Sequence, residues 1–288
     1  MPYLYLTLAV FMSASSSIFG TYYNRSESGR LGGAFLYNLI MICSVFLAWA
    51  ILFCFNFSFE LKVLPYSLAF AIFFVLSLFG MISALNYGPT TLTSLFSSLS
   101  LLLATVWGLF FWDTKITIIV IVGLVLVAIA IVLCLFNGKK EQKKLSLKWL
   151  LFVLMVFFGN AGCSIVQRTQ QTDFNGNHGV LFMVVATFIA TVCALFMYLK
   201  NDKNALKIKA NKVLTFPICA GICNMALNFF VILLATSPIS PSLVYPVIGV
   251  GSLAIVILFS VFAFKEKLKW WQWIGMALGA IATALLSI

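Results

Sequence analysis

The sequence predicts an all-α polytopic membrane protein, ten transmembrane helices arranged as two inverted five-helix repeats, and three observations carry that prediction. Of its 288 residues, 63% are hydrophobic and 9% charged, and the mean hydropathy is +1.11; soluble domains run roughly 45–50% apolar and roughly 25% charged. The apolar residues fall in runs of about 20, the length an α-helix needs to cross the hydrocarbon core of a bilayer. The two halves of the chain also superpose on each other in a shared register of prolines, glycines and a lysine. A soluble globular domain is excluded. Nucleic-acid binding drops out as well, because the formal net charge of +11 comes from lysines collected in short polar segments between apolar runs, which reports orientation in a membrane before it reports a partner.

Spans are expected at 3–23, 33–55, 64–86, 90–112, 116–136, 148–170, 179–199, 213–235, 242–263 and 270–287. The runs are apolar all round and do not alternate every second residue, so helices and not barrel strands satisfy the backbone. The first run resembles a secretory signal but lacks a positive leading segment, and it is read as the first helix. Short connections predict that sequential helices are antiparallel neighbours. Trp112, Trp270, Trp271 and Trp273 stand at span ends and read as an interfacial belt. The seven cysteines lie in or beside apolar runs and read as small hydrophobes. Cys219 and Cys223 share a helix face, but no histidine or carboxylate in that run completes a metal shell, so no metal or cofactor is expected.

Lys and Arg divide unevenly between the two ends of the spans. Fifteen fall on one side, among them Arg25, Lys140, Lys144, Lys203, Lys209 and Lys265, and only Lys62, Lys115 and Arg168 on the other. The positive-inside rule then places the lysine-rich loops in the cytoplasm of a cell-membrane protein, with both termini outside.

A shift of 152 superposes Pro65 on Pro217, Pro89 on Pro241, Lys115 on Lys267 and Gly123 on Gly275. A shift of 147 aligns the earlier spans, with Ser17 on Ser164, Gly29 on Gly176 and Gly32 on Gly179. The halves are therefore residues 1–137 and 148–288, joined by a lysine-rich linker at 138–147. Five helices per half is an odd number, so the second half enters the membrane from the opposite side. Such a pair encloses a seam near the midplane that opens to either side when one bundle rocks against the other.

The fourth and ninth helices read GPTTLTSLFSSLSLLLATVWGLFFWDTKI and SPSLVYPVIGVGSLAIVILFSVFAFKEKLKWWQWIG: a proline-opened helix, a short charged turn and a glycine-containing last helix. In these features and in its repeat the chain resembles the drug/metabolite transporter superfamily of the EamA type. The glutamate of that pattern is present as Glu266, while the first half has Asp113 one position out of register. The resemblance implies a ten-helix transporter of small metabolites, amino acids or related compounds, with termini on the cytoplasmic side. The last point is opposite to the charge count.

Polar groups at membrane depth mark candidate sites, because hydrocarbon leaves them costly unless they pair or line a wet cavity. Asn160, Ser164 and Gln167 recur at i, i+4 and i+7 on one face of helix six. Asn224 and Asn228 lie one turn apart on helix eight, and Ser13 and Ser17 on helix one. The serines have a second reading as interhelical packing residues whose hydroxyls bond back to their own helix. Tyr245 precedes Pro246, whose ring removes a helical hydrogen bond and is expected to kink or open helix nine as a gate. Arg168 is a candidate anion clamp; the alternative is that it snorkels to the interface and pairs with Asp173. His178, the sole histidine, reads as a solvated loop residue.

All seven carboxylates fall in loops or at helix ends, which disfavours proton exchange on a buried acid and suits a neutral or zwitterionic solute held by amides and hydroxyls. The expected partners are a small-molecule substrate and membrane lipids. Gly275 and Gly279 form a GxxxG in helix ten, either a homodimer face or a packing face against helix five. The sequence offers no acid pair, and no nucleophile with its base, at one interface, so an enzyme is not expected. A lipid-linked substrate translocator or a non-transporting scaffold are the alternatives to a transporter.

Overall fold

The computed structural model describes residues 1–25, 33–87, 90–112, 117–135, 146–201, 214–265 and 269–286. Among these the chain forms ten α-helices: α1 (Pro2–Arg25), α2 (Ala34–Phe55), α3 (Leu64–Tyr87), α4 (Thr90–Phe111), α5 (Ile118–Leu135), α6 (Leu147–Asp173), α7 (Gly179–Asn201), α8 (Thr215–Ala235), α9 (Pro241–Phe264) and α10 (Trp270–Leu286). Eight of them are long and apolar enough to cross a membrane, whereas the apolar stretches Ile118–Cys134 and Trp270–Leu286 of α5 and α10 are shorter. At 1.5 Å per residue, these two reach about 26 Å, a little under the roughly 30 Å hydrocarbon core. They pack against each other. Large apolar side chains such as Leu47, Phe110, Phe196 and Phe262 face outward, as a lipid-facing surface requires. The 138–145 part of the linker, Glu266, Asp113, Pro89 and Lys115 lie outside the described residues.

The packing obeys the doubled pattern. α3 lies on α6 as α8 lies on α1; α4 on α6 as α9 on α1; α2 on α8 as α7 on α3; and α4 on α5 as α9 on α10. Exchanging each helix for the one five places on maps these pairs onto one another, as repeats of five helices require. Neither of the two largest hydrophobic clusters belongs to one half. One gathers Leu6, Ala104, Val127, Leu234, Tyr245 and Ala282 from α1, α4, α5, α8, α9 and α10. The other gathers Trp49, Phe70, Phe182 and Ile232 from α2, α3, α7 and α8.

This interleaving corrects the expectation that sequential helices are neighbours. Helices α2 and α3 barely touch, and the closest packing joins α3 to α6 and α1 to α8, across the repeat. Small residues make that approach physical. A Cβ on Gly80 would sit 2.8 Å from the Phe152 carbonyl oxygen, and one on Gly159 would sit 2.8 Å from that of Phe73. Backbone meets backbone there, so only glycine fits. Apolar attraction does not drive helices together within lipid, and close backbone approach supplies the dispersion that does. On the other side of the pseudo-symmetry, the Ser16 hydroxyl of α1 donates to the Ala220 carbonyl of α8 at 3.1 Å.

Gly275 and Gly279 are buried. A Cβ on Gly275 would lie 2.9 Å from the Cys134 nitrogen, and one on Gly279 would overlap Val250 of α9. Within the chain this GxxxG packs against α5 through Gly275 and against α9 through Gly279. Gln272 clamps the same pair by donating to the Cys134 carbonyl at 3.0 Å.

Candidate functional site

Helix α6 carries the polar stripe, and the stripe bonds outward to four other helices. It begins behind a regular cap, the Ser146 hydroxyl accepting from the Trp149 N–H at 3.1 Å, which satisfies one of the donors a helix start leaves open. The Trp149 indole donates to the Thr93 hydroxyl of α4 at 3.0 Å. Three turns on, the Asn160 carbonyl oxygen accepts from Ser77 of α3 at 2.5 Å, and its amide donates to Ser97 of α4 at 3.1 Å. One turn further, Tyr245 of α9 donates its hydroxyl to the Ser164 carbonyl at 3.1 Å. Gln167, buried, donates to the backbone carbonyl of Asn228 on α8 at 3.2 Å. Asn228 in turn donates to both the side chain and the backbone oxygen of Asn224, at 3.1 and 2.9 Å.

Arg168 differs from these neighbours. Its guanidinium lies 5.4 Å above the ring of Trp112, the residue that follows α4, and Tyr245 is an electrostatic neighbour. Its buried Nε has no hydrogen-bond partner. The interfacial pair with Asp173 does not form: that carboxylate accepts from the Tyr66 hydroxyl at 2.5 Å instead. Among the described residues the only carboxylates are Asp173 and Glu60, and neither answers Arg168. A cation over an indole gains about 0.5–2 kcal/mol, which does not replace the hydration and acceptors a guanidinium gives up on burial. The seam therefore holds a positive group with donor capacity to spare.

The structure joins Asn160, Ser164, Gln167, Asn224, Asn228 and Tyr245 in one region, with Arg168 on the same face. It does not join Ser13 or Ser17 to them. The Ser17 hydroxyl donates back to the Ser13 carbonyl at 3.1 Å, within α1, in line with the packing reading of these serines. Pro246 is buried, and α9 runs through it as one helix without a break. His178 is not simply solvated: half-buried, it holds its Nδ1 3.2 Å from the Ser58 hydroxyl and stands edge-on to Phe174. Sequence reasoning missed Ser77, Ser97 and Trp112, and also the buried pair Gln170 and Gln171, whose amides bond to each other. The signal for the glutamines was present in the run QRTQQTD, where polar residues extend the α6 stripe. A separate cavity of about 330 Å3 between α3, α6 and α7 has walls such as Val75, Phe79, Met155 and Ile189. It offers a polar solute nothing to bond.

The comparisons with known proteins agree with this architecture. The model of the EamA-like transporter family matches residues 142–288. The chain belongs to that family, and it is a membrane transporter of the drug/metabolite type. A solved structure titled only as the crystal structure of a protein is similar over 98% of this chain and 94% of its own, with a TM-score of 0.74 at 14% identity; at that identity the likeness is one of fold. No curated protein matches the sequence.

Proposed function

We propose that this transporter carries a small polar or amphipathic, amino-acid-like solute through the α6 seam by alternating access, and that Arg168 receives the solute's carboxylate. The observation that carries this reading is the guanidinium stacked on Trp112 with a buried Nε that bonds to nothing. An arginine fork matches a carboxylate in two parallel hydrogen bonds, and the amides of Gln167 and Asn228 one helix over suit the polar remainder of a zwitterion. The doubled packing supports a mechanism in which the seam is exposed to each side in turn. Residues 1–137 and 148–288 act as the two halves. The lysine-rich loops face the cytoplasm, by charge count, in the cell membrane.

Proteoliposome uptake against a panel of carboxylates, amines and neutral solutes tests the reading. Saturable uptake of a zwitterion or carboxylate, accelerated by the same solute on the far side, is the expected outcome. Uptake restricted to cations or to uncharged apolar compounds would remove the proposal.

A further inference from the structure

The apolar cavity of about 330 Å3 is a groove along α3 between α6 and α7, both of which pack against that helix. Ile72 and Phe79 of α3 form its floor, Met155 of α6 one wall, and Ile189, Cys193 and Met197 of α7 the other. None of the described residues that line it has a nitrogen or oxygen in its side chain. Ile72 is 58% exposed, and Phe188 and Phe196 beside the α7 wall are exposed as well, so the groove opens on the surface that lipid covers. Two lysines stand beyond its lysine-rich end. On α7, Ile189, Cys193, Met197 and Lys200 recur at i, i+4, i+8 and i+11, a single face of the helix. On α6, Lys148 precedes Met155 by two turns on the same face. A Cβ on Gly80 would stand 3.0 Å from the Met155 Cβ, which sets that wall beside the Phe79 end of the floor. Both lysines are exposed. From Ile189 to Lys200 the helix rises about 16 Å, close to half of the roughly 30 Å hydrocarbon core. The groove and its lysines together have the depth of one leaflet.

We propose that this groove is a binding site for one anionic phospholipid, with an acyl chain lying along α3 and the headgroup phosphate drawn to Lys200 and Lys148. An apolar groove alone selects no lipid, because acyl chains are as apolar as its walls; it supplies close packing for one chain. Selection comes from charge, since lysines beside the membrane surface attract anionic headgroups. A lysine stem runs along apolar surface while its ammonium stays at the interface, which suits both residues to meet a phosphate above the groove. The site depends on neither the seam nor Arg168.

The test is native mass spectrometry of the purified full chain, titrated in detergent with phosphatidylglycerol or with phosphatidylcholine of the same acyl chains. The wild type is expected to retain one phosphatidylglycerol at a concentration at which phosphatidylcholine is lost. Lys200→Gln and Lys148→Gln should each weaken that retention about fivefold, and the two together about twentyfold. Lys62→Gln, at the opposite end of the spans, should leave it unchanged. Cys193→Phe fills the groove and should remove the retained lipid with both lysines in place. If that variant does not fold, Ile72→Trp on the exposed floor takes its place. Equal retention of the two lipids, retention indifferent to both lysines, or full retention by the filled groove would overturn the proposal.

Discussion

Tyr245 of α9 donates its hydroxyl to the backbone carbonyl of Ser164 on α6, 3.1 Å away, directly beside the proline that α9 carries through its interior. The bond ties the helix of one core to the helix that bears the polar stripe. Interhelical hydrogen bonds of this kind average about 0.6 kcal/mol in membranes, with a maximum near about 1.7. Tyr245→Phe should therefore insert and fold, with a melting temperature a few degrees lower. A loss of folded protein would mean that the bond carries far more than one contact.

Gln167 and Asn228 supply a contrast within one contact. Gln167 bonds the backbone carbonyl of Asn228, not its side chain. Asn228→Leu leaves that bond in place and breaks only the pairing with Asn224, whereas Gln167→Leu removes the bond itself and leaves the carbonyl to its partner within α8. The glutamine variant gives up an interhelical bond worth about 0.6–1.7 kcal/mol in a membrane, and the asparagine variant, which loses only bonds within α8, should lose less. Thermal denaturation of the two proteins in one detergent checks the order. Asn228→Leu and Asn224→Leu should still lower solute affinity or flux, measured as uptake per inserted protein.

The glycines between α3 and α6 permit no side chain. Gly80→Ala would press a methyl group against the Phe152 carbonyl and the Val156 nitrogen, at 2.8 and 3.0 Å, and both are backbone atoms that shift only with the helix. Overpacking of this kind costs about 1–3 kcal/mol. The expected result is a reduced yield of monodisperse protein and a lower melting temperature. A neutral effect would show that the two helices slide apart at little cost.

The helices were legible in the sequence because a spanning segment declares itself by length and composition alone. Within the described residues α5 covers Ile118–Leu135 and α10 covers Trp270–Leu286, close to the expected runs 116–136 and 270–287. The neighbour relations were not legible. Short loops argue for sequential packing, but the doubled fold threads α6 onto α3 and α8 onto α1, a long-range choice that becomes visible only when the repeats are superposed in space. The α6 stripe was readable from its spacing, Asn160 to Ser164 to Gln167. Its partners were not, since Ser77 and Ser97 look like ordinary small packing residues within apolar runs. Trp112 read as an interfacial anchor and proved to carry a guanidinium as well.

The most direct measurement of the central claim is uptake by Arg168→Gln proteoliposomes of a transported amino-acid-like carboxylate and of its uncharged amide. A bidentate pair with the guanidinium is worth about 1.5–3 kcal/mol, so the carboxylate should lose about tenfold or more in apparent affinity while the amide is unchanged from wild type. Equal losses for both solutes, or no loss for the carboxylate, would contradict a seam built around Arg168.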